Sequence, residues 1–339
     1  MRILAIDTSG APVSVAVAED GKLLERIWLE HGRTHSETLM PCIEQTMAGL
    51  GLGADSFGAF AAVVGPGSFT GLRIGVSAIK AMAYARGVQT LGVSSLGSLA
   101  YNLLNYQHSL ICPIIDARND YVYSAIYRRA PNGGQASFRG TASEPAAAAA
   151  SATGASLACL AAPGARHVRE LAGEICHILA EFACGSPASE PERSSEQTAV
   201  NSPSQEPQSM PGHEPQTMPG KEPEGILERQ PQNSPGQESE NSPSREPGST
   251  PERGRRSLVV FNGDAAAKYI GYFARELESA GCACSVAGER DLLADAASAA
   301  LLACDMALRG EFTSPSALMP VYLRASQAER LRDGHDRRQ

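Results

Sequence analysis

The chain is 339 residues long, with a formal net charge of -8 and 8 cysteines spread along it. A length of this order points to about two domains, and the acidic balance excludes a global basic field that would draw the whole molecule onto nucleic acid or an anionic membrane, so any RNA contact must be local or lent by a partner. The cysteines read as reduced thiols, and Cys282 and Cys284, the one close pair, lack the further ligands that zinc needs, so no metal follows.

The opening run, 1–7, is too short for a secretory core and reaches Asp7 at once, which predicts a cytoplasmic chain. Segments 3–7, 13–18 and 23–29 are β-type runs separated by turn residues and predict an antiparallel meander. Thr34 or Ser36 can cap a helix over 37–50, with Leu39, Met40, Ile43, Met47 and Leu50 as its apolar stripe. The small apolar strand 59–64 then enters a glycine loop, Gly65-Pro66-Gly67-Ser68-Phe69-Thr70-Gly71, and a helix over 72–86 repeats apolar residues at three- and four-residue spacing. Strand, glycine loop and helix in that order suit an anion or partner site, because glycine admits close backbone approach and Thr70 can cap a helix whose free amides face outward. A plain tight β-α turn is the competing reading of the same loop. A strand at 90–93 and a helix opening at Ser94 or Ser95 complete the first unit.

Segments 110–116 and 121–127 flank Ala117-Arg118-Asn119-Asp120 as a hairpin. The stretch 131–163 is rich in alanine, glycine and serine and reads as a loose loop, followed by a helix over 165–183 with Val168, Leu171, Ile175, Ile178, Leu179 and Phe182 on one side. From 190 to 253 the chain is an array of octapeptides such as EPQSMPGH and EPQTMPGK. Without aromatic residues it cannot offset its ordering entropy, so 185–255 is expected to be a disordered spacer. Order resumes with a strand at 257–261, a helix over 265–279, a strand at 283–287, a helix over 292–309 and an extended segment at 318–323. The helix 292–309 carries Asp295 and Asp305 and is too interrupted to span a bilayer, so no membrane association is expected. The domain reading is 1–108, then 109–184 plus 256–325, with a tail at 326–339. Mixed strand and helix order predicts an α/β layered fold.

Five motifs occur in order: Ile6-Asp7-Thr8-Ser9; the helix start Thr34 to Leu39; the glycine loop through Arg73 and Gly75; Asp116-Ala117-Arg118 with Val122-Tyr123; and Pro320-Val321-Tyr322-Leu323-Arg324. Together they resemble the TsaB family, the non-catalytic partner in bacterial synthesis of threonylcarbamoyladenosine on tRNA. The resemblance implies two actin-like (ASKHA, RNase H-like) subdomains and a heterodimer with a TsaD-type transferase. A TsaE-type ATPase joins the larger complex, tRNA is engaged indirectly, and ATP and a metal are held by the partner, with no cofactor of the chain's own. Whether two copies pair when the partner is absent stays open. By the resemblance, the helices after the meander and after the glycine loop form the partner interface. The candidate partner-binding residues are His35, Leu39, Ile43, Met47, Gly71, Gly75, Ala78 and Met82, the small ones admitting a close helix and the methionines offering adaptable surface. Asp7, Thr8, Gly65, Gly67, Ser68, Thr70 and Arg73 are candidate phosphate-binding or structural loop residues, because ATP-using relatives place an aspartate of the first hairpin on phosphate or magnesium.

The alternative is an active nucleotide-dependent carbamoyl transferase or ATPase of the same fold. The transferase subunit resembled carries its metal on an H-x-x-x-H pair where this chain has Ser95 and Leu99, and leucine cannot ligate a metal. A dinucleotide enzyme would need an acid closing the strand at 90–93, which ends in Val93-Ser94. His31 and His35 straddle Gly32 without an H-E-x-x-H pattern, so no protease is visible.

Overall fold

The computed structural model describes residues 1–30, 32, 34–104, 106, 109–130, 149–150, 156–184 and 258–324. The octapeptide array, the tail, His31 and most of the stretch 131–155 lie outside the described residues.

The meander forms as its turn residues direct: β1 (Arg2–Asp7), β2 (Val13–Glu19) and β3 (Lys22–Leu29) pair antiparallel. β4 (Ala59–Gly65) joins β1 in parallel and β5 (Gln89–Ser94) joins β4, giving the order β3-β2-β1-β4-β5. Side chains alternate between the faces of a strand. Leu4 and Ile6 of β1 therefore meet α1 (His35–Gly49) and α2 (Phe69–Arg86), whereas Ile3 and Ala5 point the other way. That second face is built from small residues, Ala5, Ala16, Ala18, Ala59 and Ala61, and receives α3 (Ser95–Asn102) and an alanine-rich C-terminal helix.

The second sheet holds β6 (Ser109–Asp116), β7 (Tyr121–Ala130), β8 (Ala149–Ala150), β9 (Ser156–His167), β10 (Leu258–Asn262) and β11 (Ala283–Val286) in the order β11-β10-β6-β7-β9-β8. Leu110, Cys112 and Ile114 of β6 face α4 (Val168–Cys184) and α5 (Ala266–Ser279), with Phe261 and Phe273 stacked 4.6 Å apart at the centre. The opposite face, through Ile111, Ala125, Tyr127 and Val260, closes on the apolar layer shared with the first sheet. The expected α/β fold of two mixed sheets covered by helices is the observed one.

Three elements differ from expectation. Residues 156–163 are part of β9, paired antiparallel with β7, and not a loop. Their Leu, Cys and Ala side chains are small and weakly alternating, so the strand draws on the long β7 beside it rather than on its own propensity. Helix α4 accordingly starts at Val168, since residues 165–167 still pair with Tyr121 to Tyr123. The helix expected over 292–309 is two: α6 (Glu289–Leu292) and, after a break, α7 (Ala296–Leu308). Asp295 makes the break, its carboxylate accepting from Ala297 N at 2.9 Å while its other oxygen pairs with Arg26 at 2.5 Å. Although it follows the second sheet in sequence, α7 packs across β1 and β2 of the first, alanine against alanine.

Candidate functional site

The glycine loop is built against the turn that follows β1. Ser68 caps α2, its Oγ accepting from Gly71 N at 3.2 Å, so the expected cap Thr70 lies inside the helix instead. Ser68 N donates to Ser9 O at 2.7 Å, and the Thr8 hydroxyl donates to Gly71 O at 2.8 Å. A Cβ on Gly67 would lie 2.4 Å from Ser9 O, and one on Gly71 2.1 Å from Thr8 O. Only glycine lets the helix approach its own sheet that closely. Two of the loop's amides are thus committed within the chain, and Gly67, Ser68 and Gly71 form a close contact between α2 and the Thr8-Ser9 turn. Gly65 is likewise covered, a Cβ there falling 2.6 Å from Val321 O.

Asp7 sits beneath this contact and is buried. Its Oδ1 accepts from Ser9 N at 2.8 Å and Ser9 Oγ at 2.7 Å, whereas Oδ2 has no partner among the described residues. Burial raises its pKa above the ordinary carboxylate value, and the Asp295 carboxylate adds to that; the Ser9 bonds and His35 oppose it. A raised carboxyl holds its proton in the folded chain after the unfolded chain has released it, so stability falls as pH rises above about 4 toward the folded value. Asp7→Asn keeps the acceptor for Ser9 and removes this term. We expect it to gain stability relative to the parent as pH rises above about 4 and to show a shallower pH dependence of the urea midpoint. Parallel midpoint curves for the two proteins would count against the assignment.

The candidate partner-binding residues divide. Leu39 and Ile43 are buried against the sheet, and Gly71 and Gly75 face Thr8 and Ile6, so these four serve the chain's own core and not a partner. Spacing of three and four marks a helix stripe without saying which neighbour it meets. Met47, Ala78 and Met82 are half-buried along the seam of α1 and α2, with Ser77 and Ala81 exposed outside them, and His35 Nε2 lies 3.1 Å from Gly10 O. Ser95 and Leu99, which the resemblance places at the ligand positions of the transferase subunit, are buried in α3, and Leu99 O accepts from Asn262 Nδ2 at 2.7 Å. Among the described residues no group of three His, Cys, Asp or Glu side chains could hold a metal ion, and no helix is long and apolar enough to cross a membrane.

The C-terminal motif, to which the sequence assigned no task, turns out to connect the others. From the bridge between Thr313 and Thr90 the chain runs back along α2, and Val321 N donates to Val64 O at 2.8 Å. The Tyr322 ring lies 5.1 Å from Phe69 and its hydroxyl accepts from Arg73 Nε at 3.1 Å. Arg324 then reaches the second sheet, donating to Ala117 O at 3.0 Å and lying 4.4 Å from the Tyr121 ring centroid. The hairpin it meets holds Arg118, Asn119 and Asp120 at φ of 64°, 55° and 59°, a left-handed run fixed by Asp116 Oδ1 accepting from Arg118 N and by Tyr269 Oη reaching Asp120. Glycine loop, C-terminal segment and hairpin are one connected arrangement, and the signal for it in the sequence was the aromatic and arginine pair in Val321-Tyr322-Leu323-Arg324.

Comparison with known proteins gives both sequence and structural matches. The family model described as "TsaD: tRNA N6-adenosine threonylcarbamoyltransferase" matches residues 29–185. The tRNA threonylcarbamoyladenosine biosynthesis protein TsaB of Bacillus subtilis is 33% identical over 128 residues, 38% of this chain and 56% of that protein. Its namesake from Escherichia coli is 35% identical over 134 residues, covering 39% and 58%. The chain thus spans somewhat more than half the length of the curated relatives it matches. Among solved structures, YeaZ from Pseudomonas aeruginosa superposes with a TM-score of 0.52 over 95% of this chain and 99% of that one, at 18% identity. The fold is therefore that of the YeaZ-like, two-sheet α/β proteins. Both sequence matches are to proteins named TsaB, the family that the ordered motifs resemble.

Proposed function

We propose that this chain is a non-catalytic scaffold in the biosynthesis of threonylcarbamoyladenosine on tRNA, acting in the cytoplasm as the heterodimer partner of a TsaD-type transferase. The pathway comes from the names of the curated relatives. The observation that carries the scaffold role is α3: Leu99 is packed in the core and Ser95 is buried with its hydroxyl unpartnered among the described residues, so the helix that by the resemblance bears the metal pair in the transferase here bears packing. ATP, the metal and the reacting tRNA nucleoside then belong to the partner, and a TsaE-type ATPase completes the assembly. What this chain supplies is shape: α1 and α2 present a seam of small and flexible apolar residues, Met47, Ala78 and Met82, held rigid by the close contact of α2 with the first sheet.

The test is reconstitution. The purified chain alone is expected to release no phosphate from ATP above a blank with added divalent metal, while tRNA modification by the transferase should fall to background when this chain is left out and return when it is added. Metal-dependent turnover by the isolated chain would support the alternative, an active carbamoyl transferase or ATPase of this fold.

A further inference from the structure

We propose that the flank of α2 carrying Phe69, Arg73 and Lys80, together with Tyr322, is a contact surface for single-stranded RNA. The inference goes beyond the scaffold role and rests on it only for the presence of a tRNA substrate in the assembly.

The first observation is a stack assembled at the surface. The Arg73 guanidinium carbon lies 4.0 Å from the Phe69 ring centroid, the Phe69 and Tyr322 rings are 5.1 Å apart, and Arg73 Nε donates to the Tyr322 hydroxyl. Each element holds the others in place, yet Phe69 and Tyr322 both remain 44% exposed. Large rings of this kind are ordinarily placed where one side is covered. The second observation is charge. Helix α2 and residues 313–324 contain Arg73, Lys80, Arg86 and Arg324 and no aspartate or glutamate, in a chain whose net charge is -8. Arg86 is paired with Asp55 and Arg324 is turned to Tyr121, but among the described residues no carboxylate pairs with Arg73 or Lys80. Lys80 is held over the same flank by Ser316 O at 3.2 Å.

Exposed rings beside cations with no carboxylate partner among the described residues match the chemistry of unstacked bases on a phosphate backbone, because any base offers a π-face and each phosphate a charge. An acidic peptide would satisfy the cations and leave the rings uncovered. A duplex would satisfy the cations but keep its bases stacked on one another. Phe69 and Lys80 stand about 16 Å apart along the helix at 1.5 Å per residue, which is room for more than one nucleotide, and Tyr84, 84% exposed, lies one turn beyond.

The experiment is fluorescence anisotropy of the full chain with a labelled single-stranded oligoribonucleotide of mixed sequence at low salt, with the same strand annealed to its complement and with heparin as a charge-only competitor. Saturable binding of the single strand is expected, weaker for the duplex. Phe69→Ala should weaken it about tenfold without changing heparin affinity, and Arg73→Gln and Lys80→Gln should each lower the log–log salt slope by about one. Thermal melting checks that each variant is folded; if Phe69→Ala is not, Lys80→Gln at the exposed amine decides. Absence of single-strand binding, equal affinity for duplex, or variants that bind RNA as the parent does while losing a co-purified transferase would overturn the proposal, the last assigning the surface to protein contact. Failure of the scaffold reading would show separately, as tRNA modification that is unaffected by omitting this chain.

Discussion

Gly71→Ala is expected to lower the melting temperature by roughly 10 °C, an effect opposite in sign to that of the same substitution on an exposed helix. Alanine is the better helix former by about 1 kcal/mol, so a glycine in the first turns of an 18-residue helix would ordinarily be improved by it. Here the added Cβ meets the Thr8 carbonyl oxygen at 2.1 Å, with Ser68 Oγ and Cβ at 3.2 and 3.3 Å. The nearest atom is backbone of the central strand's turn and cannot rotate away. Helix α2 must move off the sheet, weakening the Thr8 hydroxyl bond to Gly71 O and the Ser68 amide bond to Ser9 O. Overpacking and two strained hydrogen bonds cost about 3 kcal/mol or more, and for a domain of this size each kcal/mol is about 2–4 °C. Gly173→Ala in α4, where an added Cβ meets nothing within 4 Å, is the control and should be neutral or stabilising by up to about 1 kcal/mol. Differential scanning calorimetry of the two variants separates the cases, and a Gly71→Ala protein as stable as its parent would remove the close-contact account of the glycine loop.

That substitution also marks where the sequence was informative. Strand, glycine loop and helix were readable from a run of small apolar residues followed by three- and four-residue spacing, and the meander from its turn residues. The reason for the glycines was not, because the group they avoid, Thr8 O, belongs to a turn more than sixty residues earlier and backbone leaves no mark in a side-chain pattern. The same blindness explains the cap. Ser68 and Thr70 are both competent side chains, and which one caps depends on where the Ser9 carbonyl draws the chain. Strand β9 was hidden for a different reason: its alanines and glycine carry little β-propensity, and its partner β7 supplies the order. Asp295 was visible as a charge inside an apolar run, and its meaning as a helix start became clear only with Arg26 beside it. The candidate interface suffered most, since Leu39, Ile43, Gly71 and Gly75 obey the helix period as well facing inward as outward.

Ala78→Arg is the second large effect expected, on association rather than on folding. With the inward-facing residues removed from the candidate set, the surface left to a partner is the seam of α1 and α2: Met47, Ala78 and Met82 half-buried, Ser77 and Ala81 exposed beside them. A small residue on the half-buried flank of a helix allows another helix to approach, and an arginine there holds it off and leaves a charge to be desolvated at the contact. In the free chain the same arginine can lie along the seam and carry its guanidinium out to water, so the cost to folding stays small. The variant should therefore melt within a few degrees of the parent and lose co-purification with the TsaD-type transferase, with affinity reduced by on the order of a hundredfold. Leu72→Arg, at a fully buried position of the same helix, should fail to fold and calibrates what a core position does. Ala81→Arg, on the exposed side of the seam, gives an independent reading free of any folding effect. If both Ala78→Arg and Ala81→Arg bind the transferase as the parent does, the seam of α1 and α2 is not the interface, and the apolar residues along it serve only to pack one helix on the other.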